Sequence, residues 1–217
     1  MMSPPTGERW KTWHCGTKKT TCLNISKTKE IIVDFRINKI EHTPITVNGE
    51  PVEIVDSFRF LGVNITDKLS WSLNTKCTLK KAQQRLFFLR RLRRFKLSTN
   101  VLVSFYRSTI ESILTFCITV WYGTTDVADR NQLQRVVRKA AKIIGINECD
   151  LPRLQDIYDS RCKNRARSII ADPSHPAHPL FSPLPGRRCA NFRSIPWDNA
   201  RFGNSFFPHA VRQLNKD

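Results

Sequence analysis

The residues best placed to do chemistry are cations. Lys76, Lys80, Lys81, Arg85, Arg90, Arg91, Arg93, Arg94 and Lys96 fall in a stretch, 68–110, that contains no Asp or Glu. Like charges this close repel one another, and a polyanion relieves them, each phosphate contact releasing condensed counterion. Groups for covalent or metal chemistry are sparse. Asp34 and Asp56 stand in segments of strand character and read as solvated acids at strand edges. His14 with Cys15 and Cys22 lacks the second ligand pair of a tetrahedral zinc site, and His175 and His178 are set among prolines, so no metal site is expected. Seven cysteines, Cys15, Cys22, Cys77, Cys117, Cys149, Cys162 and Cys189, are odd in number and scattered, which favours reduced thiols over a disulfide framework. No Gly-rich phosphate loop and no Gly-x-Ser-x-Gly elbow occurs, and no His is followed two positions on by Asp, so no cofactor is expected.

The elements that must carry these groups follow from hydrophobic period. Leu79, Ala82, Leu86 and Leu89, with Phe88 and Leu92 beside them, recur at helical spacing and predict one amphipathic helix over 71–95, with Ser70 as its N-cap. Phe87, Phe88 and Phe105 are aromatic enough to stack on bases, but beside Leu at this spacing they read as core. Upstream, Ile31, Val33 and Phe35 alternate with Ile32, Asp34 and Arg36, and this β-branched content predicts a strand over 30–37. Asn48-Gly49 between Ile45-Val47 and Val52-Val55 predicts a tight hairpin, and β character continues through Phe58, Phe60, Val63 and Ile65. Downstream, residues 101–122 predict a buried helix ended by Gly123. A further helix runs from the acidic start at Asp126 and Asp129 to Gly145, with Arg135, Arg138, Lys139 and Lys142 on a basic outer face. Another covers 151–170, with Leu154, Ile157, Tyr158, Cys162 and Ala166 inward and Arg161, Lys163, Arg165 and Arg167 outward. Beyond it, five prolines in 172–185 and then Arg among aromatics predict an irregular basic tail with a short helix over 208–214.

With 217 residues, 40% of them apolar, the chain can bury a core, and a net charge of +18 directs it to nucleic acid in preference to a membrane. The first residues lack the apolar run of a secretory signal and no run of about 18 apolar residues occurs, so an intracellular location, nucleus or cytoplasm, is expected.

The order Leu23-Asn24-Ile25-Ser26-Lys27-Thr28-Lys29-Glu30, strand, hairpin, Phe58-Arg59-Phe60-Leu61-Gly62-Val63 and basic helix resembles the C-terminal part of a non-LTR (LINE-type) retrotransposon reverse transcriptase, from about Cys22 onward. The resemblance implies that Asn24, Lys27 and Lys29 lie near the incoming nucleotide. Phe58, Phe60, Leu61 and Gly62 would form a primer-grip hairpin, and the helix bearing Lys80, Lys81 and Arg85 a thumb that tracks template–primer duplex. The catalytic aromatic-x-Asp-Asp turn that would hold two metals about 4 Å apart is missing. The segment 105–123 also resembles a short domain family named for the N-terminus of an AlkB-type alkylated-DNA repair homologue, although the His-x-Asp iron motif of the dioxygenases is missing.

The expected fold is α+β: a leader over 1–21, a small antiparallel palm-remnant sheet over 22–67, a helical thumb-like bundle over 68–171 and a Pro/Arg-rich tail over 172–217. The expected function is a non-catalytic, nucleic-acid-binding fragment of a reverse transcriptase, taking RNA, DNA or hybrid duplex and not a membrane. Phosphates would meet Lys27, Lys29, Lys76, Lys80, Lys81, Arg85, Arg90, Arg91, Arg93 and Arg94. Alternatives are a module of an AlkB-type dioxygenase or methyltransferase protein without its catalytic domain, and a protein-interaction helical bundle. Uncovered sheet edges would favour self-association.

Overall fold

The computed structural model describes residues 12–13, 24–36, 42–47, 49–184 and 191–216. The chain divides into two compact units, Met1–Leu73 and Asn74–Asp217. The first holds small β-sheets and the second is helical, so the class is α+β. Most of the expected leader, with Cys15, Cys22 and His14, lies outside the described residues, as do Asn48, Arg187, Arg188 and Cys189.

Among the described residues the first unit has seven short strands: β1 (Thr12–Trp13), β2 (Lys29–Glu30), β3 (Thr46–Val47), β4 (Glu50–Pro51), β5 (Glu53–Ile54), β6 (Ser57–Phe60) and β7 (Val63–Thr66). They form three separate sheets, β1-β3-β4, β2-β5 and β6-β7, in place of the single antiparallel sheet expected. Two of the pairings, β1 with β3 and β2 with β5, are parallel. Among the described residues of the strand expected over 30–37, ladder pairing is confined to Glu30, next to Lys29. Its later part is diverted locally: the Arg36 amide donates to Asp34 Oδ1 (2.9 Å) and its guanidinium donates to both carboxylate oxygens. This leaves the amide unavailable to a ladder.

Both expected hairpins form. Val47 pairs with Glu50 around a two-residue turn in which Gly49 has φ +84°. In β6-β7, Phe60 pairs with Val63 around Leu61 and Gly62, whose φ values of 45° and 90° are those of a type I′ turn. A left-handed leucine costs on the order of 1–2 kcal/mol, and the register pairs from Ser57↔Thr66 to Phe60↔Val63 hold it in place. Ser70 is not a helix cap. Its amide donates to Thr66 Oγ1, which in turn donates to the Ser70 carbonyl, and the helix that follows begins two residues later.

The helical unit comprises α1 (Ser72–Arg94), α2 (Thr99–Phe105), a π-helical turn (Tyr106–Glu111), α3 (Ser112–Leu114), α4 (Ile118–Trp121), α5 (Val127–Ile144), α6 (Leu154–Ile170), α7 (Ala200–Gly203) and α8 (Phe206–Leu214), α1 starting in the first unit. The continuous helix expected over 101–122 is broken by the π turn and by Cys117, which has φ 47°. The cause is a run of hydroxyls that bond back to the preceding turn and loosen the helix. Thr109 donates to the Phe105 carbonyl (2.7 Å), Ser112 to Ser108 (2.6 Å) and Thr115 to Glu111 (2.8 Å).

Thr99–Thr124 is long and apolar enough to cross a membrane, an 18-residue window within it having a mean hydropathy of 1.4 and a third of that window being buried. Here its stripe of Leu102, Tyr106, Ile110, Leu114, Ile118 and Trp121 is buried in the core of the unit. Gly123 is not a left-handed helix terminator. It lies buried in a 3-10 turn (Tyr122–Thr124), where a Cβ would collide with the Tyr158 hydroxyl and the Asn204 carbonyl. α5 behaves as expected, with Asp126 at its cap position, Asp129 in the first turn and Gly145 closing it at φ 82°.

After residue 171 the described chain is irregular up to α7 and ends in the expected short helix, α8, but it packs into the core where an extended tail was expected. Phe181, Ala210 and Val211 are buried against Ala166 and Ile169 of α6, with Phe192, Ile195, Phe206 and Phe207 packed around them. Asn215 pins the chain by accepting from the Phe192 amide (2.8 Å) and donating to its carbonyl (2.9 Å). Proline forbids helix in the connecting segment, but it does not forbid packing.

Candidate nucleic-acid interface

α1 has 23 residues, roughly 34 Å of helix at 1.5 Å per residue. Thr75, Leu79, Ala82, Leu86 and Leu89 form its buried seam, each four or three residues after the last. Eight cations, Lys76, Lys80, Lys81, Arg85, Arg90, Arg91, Arg93 and Arg94, are exposed on the same helix, which carries no carboxylate. None makes an ion pair with a carboxylate among the described residues. At roughly 100° per residue they do not form one stripe. Lys76, Lys80, Arg90, Arg91 and Arg94 occupy one flank and the outer crest, while Lys81 and Arg85 occupy the other flank beside Phe88 and Phe95. Arg93 follows the line of the buried seam, and its Nη2 lies 3.1 Å from where a Cβ on Gly145 would stand. Its charge therefore meets the negative end of α5.

The other basic helices differ. Arg130 donates to the carbonyls of Gly123 (2.6 Å) and Thr125 (3.0 Å) and stacks 5.2 Å from the Tyr122 ring. Arg138 pairs with Glu148 at 2.6 Å. Arg161, expected outward, donates to the Thr115 carbonyl at 2.6 Å. Lys163 and Arg167 have partners as well. Arg138, Arg161, Lys163 and Arg167 thus have partners, while Arg135, Lys139, Lys142 and Arg165 are exposed.

Phe87 and Phe88, read as core, are 52% and 45% exposed. The seam is narrow, and the Phe87 and Phe88 rings pack edge to face on each other with centroids 5.7 Å apart. Phe88, Phe95, Phe105, Leu92 and Thr109 line an open cleft of about 390 Å³ together with Arg85 and Arg91.

The remaining site residues expected from sequence lie in the first unit. Lys27 is exposed at the end of a 3-10 turn (Ile25–Lys27). Lys29 is ion-paired with Glu53 across the β2-β5 pair, so its charge is already answered. Asn24 organises the turn, its side chain accepting from Ser26 Oγ (2.7 Å) and its carbonyl from Thr28 Oγ1 (2.9 Å). Phe58, Phe60 and Leu61 are exposed on the β6-β7 hairpin, and Gly62 completes its turn. Asp34 is not the solvated acid expected: hydrogen bonds from Arg36 hold its carboxyl well below the usual range, with His42 3.4 Å away.

Among the described residues no three His, Cys, Asp or Glu side chains cluster as metal ligands. Cys77, Cys117, Cys149 and Cys162 are free thiols, and burial pushes that of Cys162 up to about 12. Burial also raises the Tyr106 and Tyr158 phenols and the Glu111 carboxyl, the last moderated by Arg107 and Arg161.

Neither the curated proteins nor the solved structures yield a match, and no reverse transcriptase is among the matches found. The resemblance expected over 105–123 is displaced, since the segment that matches a family overlaps it only at 105–112. The match takes in α1, α2 and the π turn, about a fifth of the chain. The stretch that carries the basic helix, residues 71–112, is thereby similar to the family described as Alkylated DNA repair protein alkB homolog 8, N-terminal.

Proposed function

We propose that the helical unit is a non-catalytic nucleic-acid-binding module of the kind named for the N-terminus of an AlkB-type repair protein, acting inside the cell and serving chemistry supplied elsewhere. The observation that carries this reading is the set of eight α1 cations without a carboxylate partner among the described residues, on a helix that has no carboxylate of its own, whereas Arg130, Arg138 and Arg161 on α5 and α6 are engaged. Positive charge without carboxylate partners along roughly 34 Å of rigid helix suits a phosphate backbone, whose contacts position a protein without reading sequence. The family description of residues 71–112 concerns DNA repair and agrees with a nucleic-acid partner. No His-x-Asp pair occurs, so dioxygenase chemistry is not assigned to this chain.

A second reading, a fragment of a retrotransposon reverse transcriptase, is favoured by one feature. The exposed β6-β7 hairpin with its Leu61-Gly62 turn runs almost directly into the basic helix, in the order that a primer grip and thumb would have. It shares the nucleic-acid partner and adds a preference for hybrid duplex. A helical bundle that binds acidic proteins is the remaining alternative, and it would show no dependence on nucleic-acid length.

The test is the salt dependence of binding to duplex DNA and to RNA–DNA hybrid. The log–log slope is about −0.9 per phosphate contact on B-form DNA. Replacing Lys80, Lys81 and Arg85 together with Gln should reduce its steepness by up to about three such contacts while weakening all sequences alike. An unchanged slope in the triple variant would sink the phosphate-binding reading.

A further inference from the structure

We infer that the cleft between the C-terminal half of α1 and the α2–π-turn segment is a stacking site for an unpaired nucleobase, so that this face grips single-stranded nucleic acid. The inference rests on the phosphate-binding reading and adds to it the state of the strand.

The cleft has three aromatic rings, Phe88, Phe95 and Phe105, and two cations, Arg85 and Arg91, with no acidic residue among its lining. Phe88 is 45% and Phe95 is 71% exposed, so their rings are available to a ligand. Arg91 is steered by the neighbouring ring of Phe87, 5.9 Å from its guanidinium carbon. Arg85 has no ion pair among the described residues. An apolar slot with guanidinium groups around it complements a nucleotide: the base takes the rings and the flanking phosphates take the arginines. The volume, about 390 Å³, lies in the range of small-ligand sites.

The polar lining decides what kind of recognition is possible. Thr109 is the one neutral hydroxyl in the cleft, and it donates to the Phe105 carbonyl at 2.7 Å. Its proton is therefore unavailable to a base edge, and the lining offers no other neutral side-chain donor or acceptor. Stacking tolerates every base because each has a π face, so the site should discriminate unpaired from paired strands and not one base from another. The rings of a duplex are stacked on each other and cannot enter the cleft.

The test compares the parent with Phe88→Ala and Phe95→Ala, both exposed positions, using 12-nucleotide single strands of RNA and of DNA and the matching blunt duplex. Each substitution should weaken single-strand binding by at least about fivefold, the low end of what losing one stacked base costs. Duplex binding and the salt slope should be unchanged. A 2-aminopurine placed in the strand should be quenched by the parent and much less by the variants. RNA and DNA strands losing equally would assign the site to the base, whereas loss confined to RNA would add a ribose contact to the same stack.

Equal single-strand affinity in parent and variants overturns the inference, as does an equal loss on duplex. So does a parent dimer that the substitutions dissociate without changing oligonucleotide affinity, because the cleft is then a contact between copies. The two readings fail separately. If Lys80→Gln, Lys81→Gln and Arg85→Gln flatten the slope while the Phe variants behave as parent, only the base site is lost. If the parent binds neither strand nor duplex, both are lost.

Discussion

His209 shows how one side chain joins distant parts of the helical unit. It lies on α8, its Nε2 hydrogen-bonds to Asp159 Oδ1 of α6 at 2.7 Å, and its ring packs 4.7 Å from that of Tyr158. Burial lowers its pKa and outweighs the opposing pull of Asp159, with Arg212 and Lys216 adding to the lowering. The folded protein thus binds fewer protons at this site than the unfolded chain does. Its contribution to stability is full above the unfolded value of about 6.5 and is lost as pH falls through the lower folded value. Thermal melting between pH 7.5 and 5 should show the parent losing stability as pH falls, and His209→Gln, which keeps an amide donor but does not titrate, should flatten that dependence. Parallel curves for the two proteins would remove His209 from the acid response.

At the scale of the element, α1 separates two roles along its length. Leu86 is 2% exposed on the seam, and its neighbours on the outer surface are charged. Leu86→Ala should cost on the order of 2–5 kcal/mol, read by urea denaturation, and should leave the salt slope of the folded fraction unchanged. A flattened slope without lost stability would mean that seam and surface are not separate. Much of α1 was legible in advance because a helical period needs only local spacing to be seen, and the observed ends differ from the expected ones by a single residue. The 99–124 stretch was less legible. Its apolar period suggested continuous helix, while the competition came from Thr109, Ser112 and Thr115 hydroxyls bonding to carbonyls of the preceding turn.

For the whole molecule, the largest departure from expectation is the last fifty or so residues, which complete the core in place of trailing from it. Removing residues 172–217 would uncover Ala166 and Ile169 and take away Phe181, Ala210 and Val211. The shortened chain should lose at least about 3 kcal/mol, the scale of one buried aromatic removed, and should associate through the exposed face. Urea denaturation with light scattering checks both, and a shortened protein as stable and as monodisperse as the parent would show that α8 is dispensable. The same C-terminal packing explains why the Arg-rich composition misled. Arg212 donates to the Gly203 carbonyl at 2.7 Å and lies 4.8 Å from the Trp197 ring, a contact between residues with no common period.

What the sequence alone determined is what depends on neighbours within a few residues. It located the amphipathic helix from the steps between Leu79 and Leu89, the hairpins from Asn48-Gly49 and the Phe58–Ile65 alternation, and the acidic start and glycine end of α5 from helix electrostatics and φ preference. It also located the cationic stretch, since an absence of acids is visible without a structure. Only the tertiary structure decided which cations remain available. Arg161 reads as outward charge by spacing, yet its guanidinium donates to the Thr115 carbonyl, and Lys29 reads as a phosphate contact, yet it pairs with Glu53 on another strand. It likewise decided that Phe88, Phe95 and Phe105 share one cleft with Arg85 and Arg91. That grouping depends on where α1 ends and on how the π turn carries the next segment back against it, and neither is encoded in local spacing.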